Sequence, residues 1–202
     1  RLDDCCYFCS MLQFKVEPSE TRNMADLARA AMKGGCMWLQ LNAPEMTDDE
    51  LKAVAEGLIP ECREHGVILT IENRPELARE LGVHGVCLLG RDFSAGAVRE
   101  KLGAEAIIGV EVATVAAAST MQSLDIDYVV MPREFTAQQR TAFIKDASAL
   151  GLTIPVVASG DFTASDAPAL KAEGVSGVLT GHSMSTSENP EEAVERMIEA
   201  LR

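Results

Sequence analysis

The sequence predicts an α/β chain, a single-domain (β/α)8 TIM barrel over residues 1–202, on three observations. Short apolar runs each stop at a polar cluster, as in Leu39-Gln40-Leu41-Asn42, Ile71-Glu72-Asn73, Val110-Glu111, Val157-Ala158-Ser159-Gly160-Asp161 and Leu179-Thr180-Gly181-His182. An amphipathic helical stretch separates each run from the next, the signature of buried parallel strands in βα units. About eight such cycles are present, the number that closes a barrel. The rival architecture, an open doubly wound sheet, normally carries a glycine fingerprint after its first strand. Residues 5–18 contain no glycine.

Taken in order, the apolar run at 5–12 reads as the first strand, followed by a loop through Pro18 and a helix at 24–33 that stops at Gly34-Gly35. Strand two is 37–41. Thr47 with Glu50 three residues on forms a capping box that opens a helix running to His65-Gly66. Strand three, 67–71, precedes a helix at 74–81 with Pro75 in its first turn and Gly82 at its end. Strand four is 85–89, and Ser94 is placed to cap a helix to Leu102-Gly103. Strand five (106–110), an Ala-rich helix (115–124), strand six (127–131) and a helix at 136–150 follow. Strand seven is 154–158, Thr163 caps a helix to Glu173-Gly174, strand eight is 176–180, and Pro190 starts the last helix, to Leu201.

Composition narrows the function classes. Hydrophobic residues make up 47% and aromatics only 4%, which suits an aliphatic core between helices and a parallel sheet. The formal charge of −13 argues against nucleic acid or an anionic membrane, which are bound through clustered Lys and Arg. Phosphorylated small molecules stay open, since backbone N–H groups at a helix start hold phosphate without net positive charge. Cys5, Cys6, Cys9, Cys36, Cys62 and Cys87 are dispersed, and read as reduced thiols in a cytoplasmic protein. Cys6 and Cys9 have Cys-x-x-Cys spacing but no second Cys or His pair to complete a zinc site. No stretch approaches the roughly 18 apolar residues of a membrane span, and the acidic start Arg1-Leu2-Asp3-Asp4 lacks a signal-peptide pattern.

In such a barrel the residues just past each strand gather at one mouth. Gln40, Asn42, Glu72, Asn73, Arg74, Arg91, Asp92, Glu111, Arg133, Asp161 and His182 occupy those positions. Carboxylates among them suit Mg²⁺ with oxygen ligands and waters. His182 has a side chain fit for proton transfer near neutral pH. Ser159, Gly160, Thr180, Gly181 and Ser183, after the last two strands, stand where barrels usually bind phosphate. A Schiff-base aldolase is disfavoured, because Lys15, Lys33, Lys52, Lys101, Lys145 and Lys171 all fall in predicted loops or helices rather than on an inward-facing strand.

The order of segments carries a resemblance. Ala31-Met32-Lys33-Gly34-Gly35 then Leu39-Gln40-Leu41, Ile71-Glu72-Asn73 with Glu76-Leu77-Ala78, Gly85-Val86 leading to Asp92, Ile108-Gly109-Val110, Asp127-Tyr128-Val129, Ile154-Pro155-Val156-Val157 and Gly174-Val175-Ser176-Gly177-Val178 together resemble the thiamine-phosphate synthase and thiazole tautomerase family. The likeness runs over about 24–201. It implies the barrel fold and a transferase that joins a hydroxymethylpyrimidine diphosphate to a thiazole phosphate with release of diphosphate. It also implies Mg²⁺ held by Asp92 and Glu72, a phosphorylated heterocyclic substrate, and leaves a homo-oligomer open.

Several positions depart from the family's pattern. The strand-two motif similar to Gln-x-Arg-x-Lys keeps Gln40 but has Asn42 and Pro44 at the two cations. The Asn-Asp pair after strand three is Glu72-Asn73, and the strand-four His is Cys87. Glu111 stands for a Ser, Ala113 for the tautomerase His, Gln139 for a diphosphate-contacting Lys, and Asp161 for the second of two phosphate-site glycines. On the synthase reading, Gln40, Asn42, Glu72, Asn73, Glu111, Arg133 and His182 form the catalytic set, with Arg74, Arg91 or Arg133 in place of the lost cations. Two alternatives stay open: an inactive or repurposed paralogue that still binds a phosphorylated small molecule, and a metal-assisted lyase or isomerase using the acidic mouth.

Overall fold

The computed structural model describes residues 11–90 and 93–202, and within them eight parallel strands close into a barrel in chain order. The strands are β1 (Met11–Val16), β2 (Trp38–Leu41), β3 (Ile68–Glu72), β4 (Gly85–Leu88), β5 (Ile107–Glu111), β6 (Tyr128–Met131), β7 (Val156–Ser159) and β8 (Gly177–Thr180). The helices are α1 (Met24–Lys33), α2 (Asp48–His65), α3 (Pro75–Leu81), α4 (Ala95–Leu102), α5 (Val115–Ser123), α6 (Ala137–Ala149), α7 (Ala167–Glu173), α8 (His182–Ser185) and α9 (Pro190–Leu201). Strand β1 pairs with β2 on one side and β8 on the other, which completes the ring.

Local chemistry explains most boundaries. The Thr47/Glu50 capping box opens α2, and Gly66 ends it in the left-handed region at φ 66°, where a Cβ would be strained. Thr136 and Gln139 form a second capping box at α6. Ser94 stands at the N-cap of α4 without making the side-chain bond expected of it. A 3-10 turn, Ala164–Asp166, precedes α7 and is drawn together by the Asp166 carboxylate, which accepts from the Thr163 N–H and hydroxyl. The four-residue helix α8, after β8, is an addition to the expected set.

The first strand is the chief correction. The expected run at 5–12 lies mostly outside the described residues, and 13–16, expected in a loop, are strand. Leu12, Phe14 and Val16 pack outward among the helices, so Gln13 and Lys15 face inward. Alternation within 12–16 carried this signal, but only pairing to β2 and β8 chooses it over the longer apolar run.

Inward and outward faces form two separate cores. Trp38, Ile68, Cys87, Ile107, Tyr128, Val130, Val157 and Leu179 fill the barrel interior. Their strand neighbours, such as Leu39, Ile71, Val86, Ile108 and Val178, pack against the helices. Trp38 meets Tyr128 edge to face at 5.5 Å between centroids and donates its indole N–H to the Thr70 hydroxyl at 3.2 Å. Gly109 makes room for that pair, because a Cβ there would lie 2.1 Å from the Tyr128 ring.

One polar clip predicts a pH response. The His84 Nδ1 accepts the Leu69 backbone N–H at 3.0 Å, and burial holds the His84 pKa below its ordinary value. The unfolded chain therefore binds more protons below about pH 6.5. The His84 contribution to stability is fully present above that value and is lost as the pH falls towards the folded-state pKa. Denaturant midpoints measured from about pH 7 to about pH 5 should decline, and His84→Ala should flatten that part of the decline.

Candidate active site at the barrel mouth

The carboxyl end of the barrel holds a charged cluster built by three adjacent strands. Lys15 on β1 is in register with Gln40 on β2, and Gln40 with Thr70 on β3, two residues before Glu72. The Lys15 Nζ lies 3.0 Å from the Glu72 Oε2, and the Gln40 Nε2 donates to the same oxygen at 2.9 Å. Glu72 is the deeper partner, its side chain 8% exposed, while that of Lys15 is 20% exposed and opens to solvent. Gln40 is wholly buried, and its Oε1 has no partner among the described residues. A buried acceptor left unsatisfied is costly, so this oxygen is available to an N–H donor from a ligand or water.

Glu111, at the end of β5, shares this electrostatic neighbourhood. Burial and the nearby Glu134 charge push its pKa up, while a Gly90 backbone hydrogen bond and Lys15 pull the other way. It is a carboxyl that keeps its proton more readily than an ordinary glutamate. Beneath it, burial holds the Cys87 thiol at a pKa of about 12, and the Tyr128 hydroxyl is its hydrogen-bond partner. Cys87 is thus a neutral core thiol. Cys36 and Cys62 are likewise free and buried, whereas Cys5, Cys6 and Cys9 lie outside the described residues.

Other expected site residues are spent on structure. The Asn42 amide donates to Glu17 Oε1 at 2.8 Å, joining the ends of β1 and β2. Asn73 sits in the left-handed region at φ 58°, which asparagine tolerates, and its amide both donates to the Leu89 carbonyl at 3.0 Å and accepts the Leu89 N–H at 2.8 Å. Arg74 is pinned by Asp48 at 2.6 Å and by the Ala43 and Met46 carbonyls. It supports the loop between β2 and α2 and is not free to replace a lost cation. Arg133 and His182 are exposed, and Arg91 and Asp92 lie outside the described residues.

The corner after β7 and β8 is also internally satisfied. The Asp161 Oδ1 accepts the Ser183 backbone N–H at 2.8 Å and the Ser183 hydroxyl, so a carboxylate already occupies two donors proposed for phosphate. The Thr180 hydroxyl accepts the Phe162 N–H at 2.9 Å. Gly160 and Gly181 have packing reasons of their own, since a Cβ would lie 2.7 Å from the Phe162 ring and 2.2 Å from the Lys15 carbonyl oxygen, respectively. Asp161→Gly should free the Ser183 donors and raise affinity for a phosphorylated ligand by about tenfold or more, measurable by calorimetry.

Of the two carboxylates expected to hold Mg²⁺, Glu72 is at the mouth and Asp92 lies outside the described residues. No group of three or more His, Cys, Asp or Glu among them is placed to hold a metal. Glu72 already faces an ammonium, and Asn73 spends both ends of its amide on Leu89.

The geometry also revises an exclusion drawn from sequence. Lys15 is on a strand and faces the barrel interior, so the statement that every lysine lies in a loop or helix does not hold. No helix among the described residues is long and apolar enough to cross a membrane.

Comparison with known proteins agrees with this architecture. The chain is 32% identical over 199 residues to a thiamine-phosphate synthase of Bacteroides fragilis, covering 93% of this chain and 98% of the relative. It is 30% identical over 203 residues to the thiamine-phosphate synthase of Bacteroides thetaiotaomicron, covering 95% and 97%. A solved structure, thiamine phosphate pyrophosphorylase from Pyrococcus furiosus, superposes with a TM-score of 0.83 at 19% identity over 96% of each chain, which speaks to the fold. The family model described as thiamine monophosphate synthase matches residues 12–183, so the closed barrel and its Lys15-Gln40-Glu72 mouth belong to a member of that family.

Proposed function

We propose that the chain is a thiamine-phosphate synthase-like transferase, joining a hydroxymethylpyrimidine diphosphate to a thiazole phosphate with release of diphosphate. The family match over 12–183 supports this reading. The observation that carries it is Gln40: wholly buried at the mouth, tied to Glu72 through Nε2, with Oε1 unspent. That pair orients an amide acceptor for a heterocycle N–H, and the partner hydrogen bond fixes which way the amide points.

Glu72 holds Gln40 and Lys15 in place, so the polar groups at the mouth are set before substrate arrives. Burial and the Glu134 charge raise the Glu111 pKa, which lessens the repulsion this carboxyl offers an anionic ligand. The relatives' family implies Mg²⁺, which when bound would neutralise diphosphate charge.

The test is direct: both heterocyclic substrates are incubated with the protein, and thiamine phosphate is sought by mass spectrometry alongside the Bacteroides fragilis relative. Product from both proteins is expected. Product from the relative alone would overturn the proposal.

A further inference from the structure

We infer that the Lys15 ammonium, supplied by β1, is this chain's built-in cation for diphosphate oxygens, binding them without a divalent metal. The inference rests on the transferase reading for its ligand class.

Four features of the mouth lead to it. The nearly covered Glu72 carboxylate is charge-matched by Lys15 at 3.0 Å, so a cation facing it is already covalently present. Asn73, beside it, carries no charge and spends its amide on Leu89. The positions that would bring cations from β2 are Asn42 and Pro44, and Asn42 is turned to Glu17. Arg74, on the neighbouring loop, is held by Asp48 and two carbonyls.

Lys15 differs from these in having capacity left. An ammonium has three N–H donors, and the Glu72 bond uses one. Its side chain is partly open to solvent while Glu72 is nearly covered, so an anion entering the mouth reaches the amine before the carboxylate. A charge-assisted N–H···O bond is about twice as strong as one between neutral groups. Lysine also serves phosphates well as a point charge. The chain's formal charge of −13 makes such a local cation more necessary, because the long-range field opposes an anionic ligand.

The experiment titrates inorganic diphosphate into the protein by calorimetry, once with EDTA and once with Mg²⁺. Three proteins are compared: the natural chain, Lys15→Met, and the double variant Lys15→Met/Glu72→Gln, which removes both charges so that no buried carboxylate is left unpaired. Circular dichroism checks that each is folded. The natural chain should bind equally well with EDTA and with Mg²⁺, and both variants should lose about tenfold or more in affinity with EDTA. Loss of the Mn²⁺ electron paramagnetic resonance signal on mixing gives an independent readout. The natural chain alone should leave that signal unchanged.

Binding by the natural chain that disappears with EDTA and returns with Mg²⁺ would overturn the inference and leave the transferase reading standing. Folded variants that bind as tightly as the natural chain would overturn it as well. Diphosphate binding that needs Lys15 and no metal, in a protein that forms no thiamine phosphate, would uphold the inference and refute the activity. Absence of diphosphate binding in all conditions would refute both.

Discussion

Glu72→Ala should lower the rate of product formation by about 10²–10³-fold, measured as kcat/KM with saturating partner substrate. The size follows from what one oxygen does. Glu72 Oε2 receives both the Lys15 ammonium and the Gln40 amide, so its removal frees two groups at once. Lys15 then has an open path to solvent, and Gln40 loses the contact that fixes its amide orientation. Glu72→Gln keeps an oxygen for one donor but not the charge, and should fall between, near tenfold. The fold should survive Glu72→Ala, because the interior below the cluster is packed by Trp38, Cys87, Tyr128 and Val130 without it. A kcat/KM within twofold of the natural chain would show that the cluster takes no part in the chemistry.

Glu173→Ala should cost about 3–5 kcal/mol of folding stability. Arg140 on α6 and Glu173 at the end of α7 form a two-bonded pair, Nε to Oε2 at 2.6 Å and Nη2 to Oε1 at 2.8 Å. Both side chains are nearly enclosed, 10% and 7% exposed. Arg140 also donates to the Phe135 carbonyl at 2.8 Å and lies over the Phe162 ring. Removing the carboxylate strands a guanidinium that cannot give up its proton, and that unpaired charge sets the magnitude. Truncating both residues together should cost less than Glu173→Ala alone. Urea unfolding of the two single variants and the double variant measures the difference, and equal losses for an exposed pair such as Arg196 and Glu192 would refute the argument.

Much of the fold was legible because its signals are local. The Thr47-x-x-Glu50 and Thr136-x-x-Gln139 boxes, the glycines after α1, α2, α3, α4 and α7, and the runs that became β2 to β8 each depend on a few neighbouring residues. The site was legible only in part. Gln40 and Glu72 are joined by a hydrogen bond at the mouth, and Glu111 shares their electrostatic neighbourhood. Lys15 was missed because a longer apolar run upstream looked more like a strand than the alternation at 12–16. Asn42, Asn73 and Arg74 carried chemistry suited to a site, yet each is committed to a partner 16–31 residues away in the chain.

The amino-acid sequence by itself determined an eightfold alternation of strand and helix, and with it the end of the barrel to which polar residues are delivered. The tertiary structure alone decided which of those residues are free to act. Inward or outward orientation on β1 depends on the pairing with β2 and β8, and the charge available to a ligand depends on contacts across strands. Both are properties of residues distant in the chain, so no local pattern contains them.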